Sequence, residues 1–316
     1  MADFTVMAYN VEWMSRLFDA GLVKPDEIAR ARAIAKVIKR VNPDVLALCE
    51  AANDPAAHKS FIAGFLGGGY KVAAGKSRGL QDLVVYYRDP FVAEAVDDAF
   101  DEYVSWTDDV DADGVLEHFR WERRPLEVAF RVGANGPRFR LMLVHTKSKA
   151  IFDVVDLAGF QNVSLGNRKK LVAQATRLRR RVDRVLDDRV PLVVLGDLND
   201  GPGLDAFERV LGGSFVEILM GSVFEPERVL HNALAWMART AADREQLWTA
   251  DFPDPIVNAS QWRHRIWIDH ILASPDLLAP GAPLAVVRDS GRIVVKDRTA
   301  RTASDHFAVH CTLRIA

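Results

Sequence analysis

The chain of 316 residues carries 41 Lys and Arg against 43 Asp and Glu, a formal charge of −2, with 49% hydrophobic and 27% charged residues. That balance excludes a disordered chain, and it excludes a protein that holds nucleic acid by bulk charge alone. The two cysteines, Cys49 and Cys311, each lie inside an apolar run, which excludes a disulfide scaffold, and no apolar run reaches the ~18 residues of a membrane span. The opening MADFTVMAYNVEW has neither a basic n-region nor an apolar h-region, so the expected location is cytoplasmic.

Strand-like and helical patterns alternate along the chain. Residues 4–10 open as a strand. Residues 26–41 place Ile28, Ala31, Ala35, Ile38 and Val41 on one helical face. Val45–Cys49, after Pro43, is a continuous apolar run and predicts a buried strand. A helix over 56–66 ends at the Gly67–Gly69 breaker. Strands follow at 70–74, 83–87, 91–96, 126–132 and 139–146. The strongest helix signal covers 167–187, where Leu171, Ala175, Leu178, Val182 and Val185 keep one stripe. Leu192–Leu195 predicts another buried strand, 229–242 a helix, and 266–273, 284–288 and 307–315 the last strands. No linker or repeat interrupts this mixture, so the expectation is one α/β domain over 1–316, with helices covering sheet faces.

Two charge features stand out. Residues 97–117 hold nine acidic side chains and no Lys or Arg, and residues 168–189 hold nine Lys and Arg against three Asp. The preferred reading of each is a solvated loop and a solvated helix face. Arg177, Arg181 and Arg184 fall at steps of four and three and share a face, so a nucleic-acid backbone tracking that helix would meet all three. Asp109, Asp111 and Asp113 copy the first half of a calcium loop, but Arg120 stands where the closing Glu is needed. Gly75-Lys76-Ser77 copies the end of a phosphate-binding loop, with Tyr70 where its first glycine belongs; we reject it.

The informative pattern is polar residues at the ends of apolar strands. Asn10 and Glu12 end the first, Glu50 the second, His145 closes LMLVH, and Asp197 and Asn199 lie in VVLGDLND. Asp269 interrupts IWIDHIL, and Ser304-Asp305-His306 precedes the last strand. One such carboxylate is usually a turn residue. Six such sites imply one sheet edge carrying function. Carboxylates and amides without cysteines suit a hard cation such as Mg²⁺, and a histidine with a buried carboxylate suits proton transfer. Together they point to metal-assisted phosphoester hydrolysis.

The ordered set Asn10, Glu50, His145, Gly196-Asp197-Leu198-Asn199, Asp269 and Ser304-Asp305-His306 resembles the endonuclease/exonuclease/phosphatase superfamily, from residue 4 to 313. That group includes deoxyribonuclease I, abasic-site endonucleases, inositol polyphosphate phosphatases and neutral sphingomyelinases. The resemblance implies a four-layer α/β/β/α sandwich and a divalent cation, Mg²⁺ or Mn²⁺. It implies metal ligation by Glu50, Asp305 and Asn10, with Glu12 near the metal's water shell. Asp197 and Asn199 would orient or deprotonate the attacking water, Asp269 would hold His306 in a dyad, and His145 would stabilise phosphoryl charge. Arg124 matches a position near the phosphate, and Lys147 and Lys149 of HTKSK are substrate-contact candidates. His270 should point to the opposite face, His118, His231 and His264 have no motif support and are expected on the surface or in loops, and His310 is expected to be a strand packing position.

Asp200-Gly201 and the Trp267–His270 segment depart from the inositol phosphatase pattern, whereas VHTKSK resembles bacterial nuclease-like members. Trp262 and Trp267 are candidates for base stacking. The expected activity is therefore a nuclease acting on nucleic acid. The alternatives are a phosphatase or phosphodiesterase on a small-molecule or lipid phosphoester, and a non-catalytic binding module on the same fold. No membrane association and no obligate protein partner is inferred.

Overall fold

The computed structural model describes residues 2–75, 81–151, 154–253 and 263–316. Lys76, Ser77 and Trp262 lie outside them. The first sheet runs Leu284–Val286, Val309–Ile315, Ala2–Asn10, Val45–Ala51, Asp82–Tyr87, Lys71–Ala74, with Arg292–Ile293 also paired to Val309–Ile315. The second runs His231–Asn232, Asp269–Ala273, Leu192–Asp197, Arg138–His145, Leu126–Val132, Phe91–Asp97. The helices are α1 (Ile28–Val41), α2 (Pro55–Phe61), α3 (Leu157–Asp187), α4 (Ala206–Leu211), α5 (Phe215–Met220), α6 (Ala241–Gln246) and α7 (Arg298–Ala303).

Side-chain alternation along the strands builds the layers. Val45, Ala47 and Cys49 pack between the sheets with Leu141, Leu143, Val193 and Leu195. Leu46 and Leu48 turn the other way, into a cluster with Ala31, Ile34 and Ile38 of α1. On the far side, Met142 and Val144 cluster with Leu171, Leu178 and Val182 of α3. Burial on both faces explains the continuous apolar runs, and each Val or Leu placed there contributes about 1.5–3 kcal/mol. The result is the expected sandwich of helices, two sheets and helices.

Each sheet contains one parallel pair crossed by a helix. Ala2–Asn10 runs parallel to Val45–Ala51 across α1, and Arg138–His145 parallel to Leu192–Asp197 across α3. Both pairs therefore deliver their C-terminal residues to strand ends where loops can present them.

Three element boundaries differ from the periodicity. Helix α3 starts at Leu157, where the Asp156 carboxylate caps it by accepting the Gly159 N–H at 2.7 Å. Its first turns carry mostly exposed residues, so they lack an apolar stripe. Residues 229–242 are not one helix: Asn232 Oδ1 accepts the Leu234 N–H at 3.0 Å, a short 3₁₀ turn covers Ala235–Ala238, and Thr240 caps α6. The 266–273 run divides into Arg263–Ile266, paired with Ala250–Pro253, and Asp269–Ala273 in the second sheet.

The two charge features are partly each other's partners, while Asp97, Asp101, Asp113, Arg180 and Arg189 remain exposed as a solvated loop and helix face would be. Lys169 Nζ lies 2.7 Å from Asp111 and 3.1 Å from Glu117, Arg184 pairs with Glu102 at 2.6 Å, and Lys170 meets Glu122. Arg181, only 8% exposed, is bidentate on buried Glu127 at 2.7 and 2.9 Å, and Arg177 sits 5.3 Å from the Trp106 ring. The acidic segment folds across α3, so the three arginines do not form a free cationic face. The Asp109, Asp111 and Asp113 carboxylates do converge within 4.8 Å. However, Asp109 accepts the N–H groups of Asp113 and Gly114, and the Lys169 ammonium already neutralises Asp111. Among the described residues, no helix is long and apolar enough to cross a membrane.

Candidate active site

Strand register brings the polar strand ends together. His145 pairs with Asp197 across the parallel strands, and Asp197 with Asp269 across the antiparallel ones. Asn10 spans the gap between the sheets: its Nδ2 donates to Asp197 Oδ2 at 2.9 Å and to Glu50 Oε1 at 3.2 Å, while its Oδ1 accepts the Glu12 N–H at 3.0 Å. Gly196 makes the approach of Asp197 possible. Its φ is +131°, and a Cβ there would lie 2.1 Å from the Val144 carbonyl oxygen. Glu12, Glu50 and Asn199 all hold left-handed backbone, at φ 48°, 56° and 48°. For non-glycine residues this conformation costs about 1–3 kcal/mol each and persists only where contacts enforce it. For Glu50 the enforcing contacts come from the Trp13 N–H at 3.0 Å and the Gln81 amide; for Asn199, from its N–H to Asp197 Oδ1 at 2.9 Å.

The buried centre of the site is a histidine between carboxylates. His306 Nδ1 lies 2.8 Å from Asp269 Oδ2, and its Nε2 lies 3.7 Å from Asp197 Oδ2. Asp269 is fixed by its N–H to Thr249 Oγ1 at 2.9 Å, and His306 by its N–H to Ser304 Oγ at 3.0 Å. Burial alone would lower the His306 pKa, but Asp269 and Asp197 outweigh it and hold the ring well above its ordinary value. Asp197 moves the other way. Burial, reinforced by Asp269 against the opposing pull of His306, pushes its carboxyl up to about 7. His145 has its Nε2 3.4 Å from Asp197 Oδ2, and burial, Arg123 and His306 hold it well below its ordinary value. The two histidines thus differ in charge: His306 is a cation near neutral pH and His145 is neutral.

Beside this centre stand three half-buried carboxylates, Glu12, Glu50 and Asp305. Glu12 Oε2 accepts the Asp305 N–H at 3.3 Å. Burial first, then Asp305 and Glu50, raise Glu12 despite the opposing effect of Arg30. That guanidinium also donates to the carbonyl oxygens of Val11, Glu12 and Ala303, leaving it 3.9 Å from Glu12 Oε2. Oxygen donors of one sign in mutual repulsion, with little cationic compensation, fit a hard divalent ion. Among the described residues, Asp197, Asp269 and His306 place donor atoms within 4.8 Å of one another, a convergence that Glu12, Glu50 and Asp305 do not reach. There, however, the His306 cation already compensates the carboxylates, so the Glu12, Glu50 and Asp305 group is the better fit.

Not every expected residue reaches the site. Arg124 is exposed, and its neighbour Arg123 turns inward instead, donating to Gln81 Oε1 at 2.8 Å and to the Thr146 carbonyl at 3.2 Å. Neither Arg123 nor Gln81 stands out in the sequence. The adjacent pair Arg123-Arg124 carries the signal for Arg123, and only the register of the turn selects between them. Lys147 is half-buried, which lowers its pKa, whereas Lys149 is held by Asp200 and Glu208 beneath the rim. His270 is fully buried on the other face, between Asn232 and the Asp200 carbonyl. His118, His231 and His264 are exposed. Trp267 Nε1 donates to the Asp269 carbonyl at 3.1 Å, and its ring lies 5.0 Å from that of His270.

Among curated proteins no relative matches the sequence. Solved structures do resemble the fold. TDP2 from C. elegans is 16% identical at a TM-score of 0.57, covering 99% of this chain and 75% of that one. D. rerio TDP2, complexed with a single-strand DNA product, is 16% identical at 0.57 over 99% and 100%. The human Nocturnin catalytic domain, with a bound sulfate anion, is 15% identical at 0.57 over 99% and 95%. The family model described as the endonuclease/exonuclease/phosphatase family matches residues 7–306, which takes in every residue of the rim from Asn10 to His306. The chain belongs to that family.

Proposed function

We propose that this protein is a divalent-metal-dependent phosphodiesterase whose substrate is a nucleic-acid strand. The observation that carries the reading is geometric: buried His306 stands between Asp269 at 2.8 Å and Asp197 at 3.7 Å, with Glu50 tied to the same centre through Asn10 and with Glu12 and Asp305 joined beside it. Glu50 and Asp305 would hold the cation, with Glu12 on its water shell. When bound, Mg²⁺ or Mn²⁺ supplies charge neutralisation at a phosphoryl oxygen. Asp197, with a pKa near the working pH, takes the proton of the attacking water, and the Asn199 N–H fixes its second oxygen. The Asn10 amide nitrogen positions Glu50 and Asp197, and its oxygen, which accepts only the Glu12 N–H, keeps a second lone pair for the cation. His306, oriented by Asp269, donates to the phosphoryl group as charge accumulates there. Neutral His145 contributes a hydrogen bond and no charge, and Lys147, on the rim, meets substrate phosphate.

The test is turnover of a panel of single-stranded and duplex DNA, RNA, cyclic nucleotides, inositol phosphates and bis-aryl phosphodiesters, with Mg²⁺, Mn²⁺ or EDTA. We expect diesters to turn over only with metal. Hydrolysis confined to monoesters, or none of any ester, contradicts the reading. A second reading, a small phosphodiester substrate, is favoured by the internal pairing of the α3 cations; turnover of bis-aryl and cyclic diesters with no oligonucleotide cleavage would select it.

A further inference from the structure

The hairpin of Ala250–Pro253 and Arg263–Ile266 lies directly against the His306 segment. Ala250 bridges His306, the Asp251 N–H donates to the Asp305 carbonyl at 2.9 Å, and the Phe307 N–H to the Thr249 carbonyl at 2.6 Å. Around this junction the chain gathers cations. The buried carboxylate of Asp251 meets Arg263 at 2.5 Å, Arg265 at 3.6 Å, and Arg301 from α7. Lys296 Nζ sits 3.7 Å from the Trp248 ring centroid, with Arg265 at 5.1 Å and Arg301 at 5.6 Å from the same ring. The acid next to Lys296, Asp297, is paired with Arg40 at 2.7 Å.

One carboxylate therefore serves three arginines with Lys296 beside them, and the side chains of Arg263, Arg265 and Arg301 remain 37%, 56% and 41% exposed. Crowding like charges has a cost, visible at Lys296: burial first, then Arg265 and Arg301, push its pKa down to about 8. No step of the proposed hydrolysis uses this group. It differs from Lys169, Arg181 and Arg184 of α3, each of which has a carboxylate of its own, because here several cations share Asp251.

We propose that Arg263, Arg265, Lys296 and Arg301 form a second phosphate site that holds the nucleic-acid backbone on the His306 side of the scissile bond. This rests on the phosphodiesterase reading and names its substrate as a strand with at least one further phosphate. Guanidinium groups bind phosphate oxygens in a bidentate fork. The Trp248 face is covered by Lys296 and the ring is only 7% exposed, so the site reads charge and not bases. Binding there is sequence-independent.

The experiment is fluorescence anisotropy of a labelled single-stranded oligonucleotide in EDTA, comparing the wild type with Arg265→Gln/Lys296→Gln. Asp251 keeps Arg263 and Arg301 in that variant, and single Arg265→Gln, at an exposed position, serves as a second variant. We expect about tenfold weaker binding in the double variant, and a salt slope smaller by about 0.7 for each single-strand phosphate that the variant leaves unneutralised. Unchanged affinity and slope overturn the site. Hydrolysis of a bis-aryl phosphodiester, which has no second phosphate, reports the reaction centre separately; a parallel loss there would place the effect at His306 and also overturn it. If the wild type cleaves no diester yet binds the oligonucleotide through these two cations, the phosphodiesterase reading fails and the phosphate site stands.

Discussion

Replacing Arg181 with Met tests whether the basic helix serves the fold or a ligand. Arg181 donates to both oxygens of Glu127 at 2.7 and 2.9 Å, and its guanidinium lies 3.6 Å from the Phe100 ring centroid. Glu127 is 3% exposed and also accepts from Tyr103 Oη at 2.8 Å and Arg140 at 3.3 Å. Removing one partner of a buried pair costs about 3–5 kcal/mol, because the other charge is left in a low-dielectric setting. The remaining hydrogen bonds from Tyr103 and Arg140 put Arg181→Met at the lower end, about 3 kcal/mol. Unfolding entropy near 2 cal/mol/K per residue gives about 0.7 kcal/mol per kelvin for 316 residues, so the Tm falls by about 4–5 °C. Differential scanning calorimetry reads that shift, and oligonucleotide kcat/KM at 25 °C should stay within about twofold. An unchanged Tm together with weakened oligonucleotide turnover would refute the reasoning and return α3 to the substrate.

Asp269→Asn should lower kcat by about 10²–10⁴-fold, and it should move the alkaline limb of the pH profile to lower pH, because the His306 cation loses the carboxylate that most raises it. Gly196→Ala should yield little folded protein, since the added Cβ meets the Val144 carbonyl, and circular dichroism with thermal melting checks it. Burial holds neutral His58 between Tyr86 Oη and the Ala52 carbonyl, both at 2.7 Å, and lowers its pKa. The unfolded chain therefore takes up that proton first: the stability is whole above about pH 6.5 and is lost as pH falls through the folded value. His58→Gln should make the loss of urea stability between about pH 7.5 and 5.5 shallower than in the wild type, by removing one of the groups that produce it.

The layers were legible because strands buried on both faces leave continuous apolar runs and α3 leaves a long stripe. The candidate rim was legible too, since Asn10, Glu50, His145, Asp197, Asp269 and His306 stand at strand ends, where side chains are not needed for packing. The first turns of α3 were hidden because their residues face solvent and carry no period. The charge features misled in part because composition reports the sign of a surface and not its partner: Lys169 and Asp111 are 58 positions apart in the sequence and 2.7 Å apart in space. Arg123 was hidden for a different reason, since choosing it over Arg124 depends on the direction of one turn.

The most direct test of the metal-dependent reaction is a titration of Mg²⁺ and Mn²⁺ into EDTA-stripped wild type and Glu50→Gln, read as initial rate on a phosphodiester. Glu50 is held by Asn10, Trp13 and Gln81 at the rim, so the amide replacement keeps the shape and removes the charge. We predict no turnover without metal, saturable recovery in the wild type, and in Glu50→Gln a rate reduced at least about hundredfold or a metal requirement shifted to much higher concentration. Full activity of Glu50→Gln in EDTA would contradict the account.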